Sequence, residues 1–319
     1  MHFFFDIRRH FFDFVANFKY DTILGVIGVP SMRRIFLILV LLMLFCSAAG
    51  NAHQVFIRPV SGWVNIGDTA ILPVAAGHNT SSSEMPEGLT NLTIIRQDGG
   101  VIDHILNEKT DTMGNWPIFS FDVEHPGLYL ITAYNGGGAW THIITNPPVT
   151  GYWEAGGVDE IDFNAINKTG WANDWYVERS YPLHTYGKTF IAGPDSDYSI
   201  ASKPVGQILE IVPLTNITEA GKGDFQFQVL YQGQPFSDIE LIAQKVGDDA
   251  KIRGMTDAEG KVMLNLSTTD EFREWVIVAD TLMDTRVVET KEEPRGEASK
   301  ELTFVGPVYR TTLVLRTDF

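Results

Sequence analysis

Cysteine is all but missing: the 319-residue chain has one, Cys46, inside an apolar run near its start. Beyond it there is no thiol, so no disulfide can brace the fold and no thiolate can hold a metal. Stability must come from apolar cores, and a metal site would have to use histidine, carboxylate, methionine or the chain's own amino group. Basic residues are short as well, 24 against 40 acidic, for a net charge of −16. That balance argues against nucleic acid and anionic lipid as partners and is compatible with cations. The common catalytic signatures are missing too: there is no G-x-S-x-G elbow, H-E-x-x-H helix or phosphate loop. Glu154, Asp159, Glu160 and Asp162 gather in one segment, and a glycosidase needs only two carboxylates at the right separation. An acidic chain supplies such a cluster by chance, so the sequence does not read as an enzyme.

What is present begins with a three-part pattern over 32–52. Met32, Arg33 and Arg34 are a basic start, Ile35 to Phe45 is unbroken apolar, and Ser47 to Ala52 is small residues. This is the build of a secretory signal peptide. From Ile35 to Ala49 is about 15 residues, short of the roughly 20 that cross a bilayer, so cleavage is expected rather than anchoring. Phe45 before Cys46 is a poor fit to a lipoprotein signal. Residues 1–31 are Phe-rich without periodicity and lie upstream of a complete signal, which reads as an over-extended start. Cutting after Ala52 leaves His53 first, and 19 basic against 37 acidic residues, net −18. Cutting after Gly50 leaves Asn51-Ala52-His53. The expected destination is the periplasm.

From His53 the chain alternates in short strands separated by turn residues. His53–Val60, Thr69–Ala75, Leu92–Arg96, Val101–Leu106, Ile118–Val123, Leu128–Tyr134 and Ala139–Thr145 read as strands. Asp98-Gly99-Gly100 and Glu124-His125-Pro126-Gly127 read as hairpin turns, with a further turn at Gly136 to Gly138. Residues 146–204 break the rhythm. This stretch is rich in Trp, Tyr, Asp and Gly, with short helices expected over Asp159–Ile166 and Asp174–Ser180. Strands return after Val205, and Thr256-Asp257-Ala258-Glu259-Gly260-Lys261 reads as a hairpin loop with Gly260 left-handed. The expectation is an all-β protein of two β-sandwich domains, 53–145 and 205–319, immunoglobulin-like or transthyretin-like. An aromatic-rich, partly helical linker, 146–204, joins them.

Six histidines follow the signal. His125 sits in a turn and reads as solvated, and His104 alternates with Ile102 and Leu106 as a packed residue. His78 ends a strand after Gly77, while His142 shares a strand face with Trp140 and Ile144. Strand ends gather at one rim of a sandwich, where ligands can converge. His184, in Tyr181-Pro182-Leu183-His184-Thr185-Tyr186, is a further candidate. A first-position His53 can chelate through its amino group and imidazole. A third-position His53 adds two deprotonated amides. Both arrangements suit Cu(II) or Ni(II), which favour nitrogen in tetragonal geometry. The metal-ligand candidates are therefore His53, His78, His142 and His184. A competing reading makes Trp153, Trp171 and Trp175 stacking platforms of a metal-free, carbohydrate-binding or scaffold sandwich.

AHQVFIRP after the signal, the strand ending AAGH, HPGLYLITAY, YGKTFI, LEIVPL, VLYQGQP and TDAEGKV occur in one order. Together they resemble the secreted bacterial proteins grouped as domain of unknown function 4198. That family carries the label of a NikM-like periplasmic component of a cobalt or nickel transport system. The resemblance covers nearly all of His53 to Phe319. Its members often begin HDFW or HEFW where this chain has HQVF, so no acidic role at that position carries over. It implies a periplasmic component that binds cobalt or nickel for a membrane transporter; with the copper that an amino-terminal His53 also suits, the expected ligand is a divalent transition metal (nickel, cobalt or copper).

Overall fold

Wherever the residues alternate most cleanly the chain is strand, as in DFQFQVLY, where Phe225, Phe227 and Val229 are buried and Asp224, Gln226 and Gln228 are not. The computed structural model describes residues 54–77, 89–105, 112–113, 116–136, 138–146, 150–155, 174–269, 274–282, 284, 286–287, 291–295, 298–302 and 306–319. The expected helix over Asp159–Ile166 lies outside them, as do residues 1–53. Residues Asn51–Phe319 form one unit.

In chain order the first strands are β1 (Gln54–Ile57), β2 (Thr69–Gly77), β3 (Leu89–Arg96), β4 (Val101–Ile105) and β5 (Thr112–Met113). Next come β6 (Trp116–Asp122), β7 (Tyr129–Asn135), β8 (Ala139–Asn146), β9 (Thr150–Ala155) and β10 (Asp174–Ile191). The second half holds β11 (Leu209–Pro213), β12 (Asp224–Tyr231), β13 (Gln234–Pro235), β14 (Glu240–Lys245) and β15 (Lys251–Met255). Last are β16 (Lys261–Asn265), β17 (Glu274–Asp280), β18 (Lys291–Arg295), β19 (Ala298–Leu302) and β20 (Val308–Arg316). Helix among the described residues is limited to short 3-10 turns at Tyr198–Ser202 and Ile217–Glu219. The protein is an all-β sandwich.

A ten-stranded sheet runs β15-β14-β17-β20-β10-β7-β3-β4, with β8 and β9 continuing beside β10. One face carries the sheet β1-β2-β6-β5, whose Val55, Leu72, Val74 and Phe119 pack with Leu92, Ile94, Ile131 and Ile191. The opposite face carries β11-β12-β13 and β16, whose Leu209, Ile211, Phe225 and Leu264 pack with Leu130, Phe190, Ile277 and Leu313. Adjacent residues such as Leu130 and Ile131, or Phe190 and Ile191, enter different cores, so the central sheet is covered on both sides. Two-sided burial explains why EWVIVAD and VYRTTLVLR are buried at nearly every position instead of at alternate ones. Each fully buried Phe, Leu or Ile contributes roughly 1.5–3 kcal/mol.

Several expected turns do other work. Gly99 has φ +86 and closes a true hairpin between β3 and β4. Glu124 to Gly127, expected to be a hairpin, instead carries the chain from β6 in one sheet to β7 in another. Tyr129 Oη donates to the His125 carbonyl at 2.6 Å and braces that crossing; His125 itself is exposed. The loop 256–261 likewise crosses, since β15 pairs with β14 while β16 pairs with β12. Gly260 has the expected left-handed φ of +70, and an added Cβ would lie 2.7 Å from the Val229 carbonyl and 2.8 Å from the Phe236 nitrogen. Gly260→Ala is therefore expected to destabilise the fold by at least ~1–2 kcal/mol, read as a lowered midpoint in urea. Gly136 to Gly138 does not reverse the chain either: β7 and β8 follow one another along β10.

The expected helix at Asp174–Ser180 is strand, the first half of the 18-residue β10. Trp175, Tyr176 and Val177 are aromatic or β-branched, and the cross-strand partner β8 decides between the two conformations. β10 then pairs with β7 antiparallel and β20 parallel. The segment expected to link two halves thus supplies the strand that joins them in one sheet.

Candidate functional site

β1 lies over the centre of the large sheet. Gly187 on β10 permits the approach: a Cβ there would be 3.3 Å from both the Val55 carbonyl and the Ile57 side chain. Thr312 on β20 donates its hydroxyl to the Val55 carbonyl. β1 pairs antiparallel with β2, and the rung described at its open end is Gln54 opposite Gly77. The residues next to that rung in sequence are His53 and His78. Both lie outside the described residues.

His142 is on β8, in register with Arg179 of β10. Between Val177 and Arg179 the register shifts, which makes Glu178 the bulged residue. Bulges re-aim side chains, and this one brings the Glu178 carboxylate within 2.5 Å of His142 Nδ1. An ionised carboxylate only accepts, so Nδ1 is the donor in this contact. Arg179 Nη2 adds a second contact to the same carboxylate at 3.1 Å. The hydrogen bond from His142 and, more weakly, the charge of Arg179 hold the Glu178 carboxyl below its usual range against the opposing effect of burial. A depressed carboxylate stabilises the fold above its unfolded pKa, and that contribution is lost as pH falls through the folded value. Lowering the pH below about 4.5 should accordingly cost the native protein more melting temperature than it costs Glu178→Gln.

His184 lies elsewhere. Arg179, Tyr181 and Leu183 alternate along β10 to one face, and His184 and Tyr186 to the other. From Arg179, the partner of His142, to His184 is five residues, about 16 Å of extended strand. The structure does not bring His142 and His184 together. His184 instead sits in a group of tyrosines, opposite Tyr309 of β20, while Tyr186 sits opposite Tyr134 of β7. Tyr134 Oη is 2.8 Å from His184 Nδ1. The imidazole is stacked with Tyr134 at 6.1 Å and with Tyr309 at 5.4 Å, the planes 11° and 21° apart. Tyr186 approaches Tyr134 at 5.3 Å, and Tyr231 of β12 meets Tyr309 edge-on at 5.8 Å. Burial pushes the His184 imidazole down and the Tyr186 phenol up to about 12.

Among the described residues no three His, Cys, Asp or Glu gather where they could hold a metal ion. The model of the family described as Domain of unknown function (DUF4198) matches residues 50–271, more than two thirds of the chain. The chain belongs to this family. The DUF4198 match takes in every candidate histidine and β1 to β16, and ends before β17 and β20. No curated protein matches the chain. Among solved structures, the native conformation of Escherichia coli alpha-2-macroglobulin is 11% identical with a TM-score of 0.22, covering 80% of this chain. The DUF4198 chain spans 14% of that protein's length. The D0-D1 domain of intimin is 8% identical with a TM-score of 0.19, covering 83% of this chain and 99% of its own. A Ca2+-stabilized, ice-binding adhesin of an Antarctic bacterium is 13% identical with a TM-score of 0.17, covering 79% of this chain and 74% of its own.

The sequence reading of the DUF4198 chain missed Glu178, Arg179 and four tyrosines. Glu178 has no local signal, because its role depends on a bulge. Tyr186 could have been found two residues from His184 on the same strand face. Tyr134, Tyr231 and Tyr309 required the register across three other strands. Trp153 is opposite His142 in the β8–β9 register, while Trp171 lies outside the described residues.

Proposed function

We propose that this DUF4198 protein is an exported, non-catalytic binding protein for a divalent transition metal (nickel, cobalt or copper), held in the periplasm for a membrane uptake component. The observation that carries the reading is the Glu178 carboxylate on His142 Nδ1, the support that metal-ligating histidines ordinarily have. His53, with the amino group freed by signal cleavage, and His78 are the further candidates. His184 stands apart from this set, on the opposite face of β10.

The runner-up is a metal-free binding or scaffold sandwich. It draws support from the protein partners that His142 and His184 already have in Glu178 and Tyr134. Elemental analysis of protein exported by its own signal separates the two. About one nickel, cobalt or copper per chain is the expected result, and metal-free protein that takes up none favours the scaffold.

A further inference from the structure

We propose that the last residues of the chain latch its first strand, so that β1 and the strap after it, 58–62, dock as a late and separable step onto a finished β20. Three contacts follow one another in the same order along both segments. The Thr312 hydroxyl donates to the Val55 carbonyl, Arg316 Nη1 donates to the Pro59 carbonyl, and the Gly62 N–H donates to Asp318 Oδ2 at 3.3 Å. Asp318 also grips the Arg316 guanidinium, accepting from Nε and from Nη2 at 2.8 Å each. Arg58 in the strap donates from Nε to Glu274 Oε1, at the start of β17, at 2.6 Å.

The strap depends on these side chains because of how its backbone is shared. The N–H groups of Arg58 and Val60 donate to the Pro73 and Ile71 carbonyls and continue the β1–β2 register. Pro59 lies between them, so its carbonyl faces away from β2, and Pro59 is buried. A buried carbonyl has to be paired, and Arg316 pairs it. Gly62 turns its N–H to Asp318, and a Cβ there would stand 2.5 Å from Asp318 Oδ1, so only glycine lets the two segments close. Under β1, Phe56 packs on Val276 and Val278 of β17 and on Val314 of β20.

Glu274, Thr312, Arg316 and Asp318 all lie beyond residue 271, where the family match ends. β20 is also the strand that joins the two halves of the large sheet, β15-β14-β17 and β10-β7-β3-β4. Hairpins such as β3–β4 and β14–β15 close over a few residues, whereas Val55 and Thr312 are 257 residues apart. Contacts that distant form late, because the loop they close costs entropy before it is rewarded. For an exported chain, the reading proposed above on which this consequence rests, the end made first waits for the end made last. The polypeptide then stays open while it crosses the membrane.

Hydrogen exchange on the exported chain, read by mass spectrometry, tests the latch without any metal, so its failure and that of the divalent-metal site are told apart. During refolding from urea, amides of β14 and β15 are expected to gain protection first, and those of 54–62 no earlier than those of β20. In the native state, Asp318→Asn should speed exchange across 54–62 on the order of 10–100-fold, the loss of one hydrogen bond to a charged group. β10 and β20 should exchange as before. Gly62→Ala should reproduce the effect from the other side, with Asp318 intact. Protection of 54–62 ahead of β20 overturns the proposal, and so does native exchange there that neither variant alters. Equal loss of protection throughout the large sheet would overturn it too, since the strap would then be no separable unit.

Discussion

Replacing Lys188 by methionine is expected to destabilise the fold by about 3–5 kcal/mol, the usual result of removing one partner of a buried ion pair. Lys188 is on β10 at the centre of the large sheet, between Leu313 of β20 and Thr132 of β7, and is fully buried. Its Nζ donates to Glu210 Oε1 at 2.8 Å, and Glu210, on β11 in the facing sheet, is 1% exposed. The same carboxylate accepts the backbone N–H groups of Val205 at 2.9 Å and Gly206 at 3.0 Å. One lysine therefore ties the central sheet to the layer above it and holds the chain entering β11. Methionine matches the volume but leaves a buried carboxylate with two neutral donors and no counter-charge. The loss is a large share of the ~5–15 kcal/mol that a domain has in total. Adding Glu210→Gln should restore most of it, since a neutral amide oxygen still accepts from Val205 and Gly206. Urea unfolding is the measurement. The single variant should lower the midpoint strongly at unchanged slope, and the double variant should recover it. A single variant that melts like the native protein would mean that the pair contributes little beyond packing.

Lys188 also marks the limit of what the sequence discloses. Alternation located most of the strands, because period-two burial is written residue by residue, as Phe225, Phe227 and Val229 show. It did not disclose which sheet a strand joins. Glu124 to Gly127 and Thr256 to Lys261 carry ordinary turn chemistry, and turn chemistry is the same whether the next strand pairs with the last or crosses to the facing layer. The Asp174–Ser180 stretch was misread for a related reason. Its strand partner, β8, is some thirty residues away, beyond the reach of a local pattern. The candidate site divides in the same way. His142 was legible from its strand face, but its carboxylate support arises from a bulge that no spacing announces. His184 was legible as a candidate ligand, but the hydroxyl of Tyr134 on its Nδ1 is brought there by the register of β7. His53 and His78, read as candidates from the signal junction and a strand end, adjoin the Gln54–Gly77 rung and lie outside the described residues.

Titration of the exported protein with Ni(II) or Cu(II) should reveal one tight site per chain, and its response to variants tests each proposed donor. A lone imidazole binds a divalent ion weakly, whereas several nitrogens pre-placed on a rigid sheet lose little ordering entropy on binding. His53 and His78 are the proposed donors beside His142, with the amino group as a further donor on the first. His53→Ala removes a nitrogen and breaks the chelate ring, so a loss on the order of 100-fold, about 2.7 kcal/mol, is expected. One residue added before the native start should do equal damage with every histidine intact. His78→Ala and His142→Ala should each weaken binding measurably, and Glu178→Gln about 10-fold by releasing His142 from its support. Because amine and imidazole must both be deprotonated, affinity should begin to fall below pH ~8, where the amine protonates, and more steeply below ~6.5. His125→Ala should change nothing, since that residue is exposed in a turn between sheets. His184→Ala should also leave the divalent site intact, because it lies on the other face of β10. Equal binding by the extended and native chains would remove the amino terminus from the site. Should His53→Ala, His78→Ala and His142→Ala all bind as the native chain does, the metal-free scaffold is the right reading.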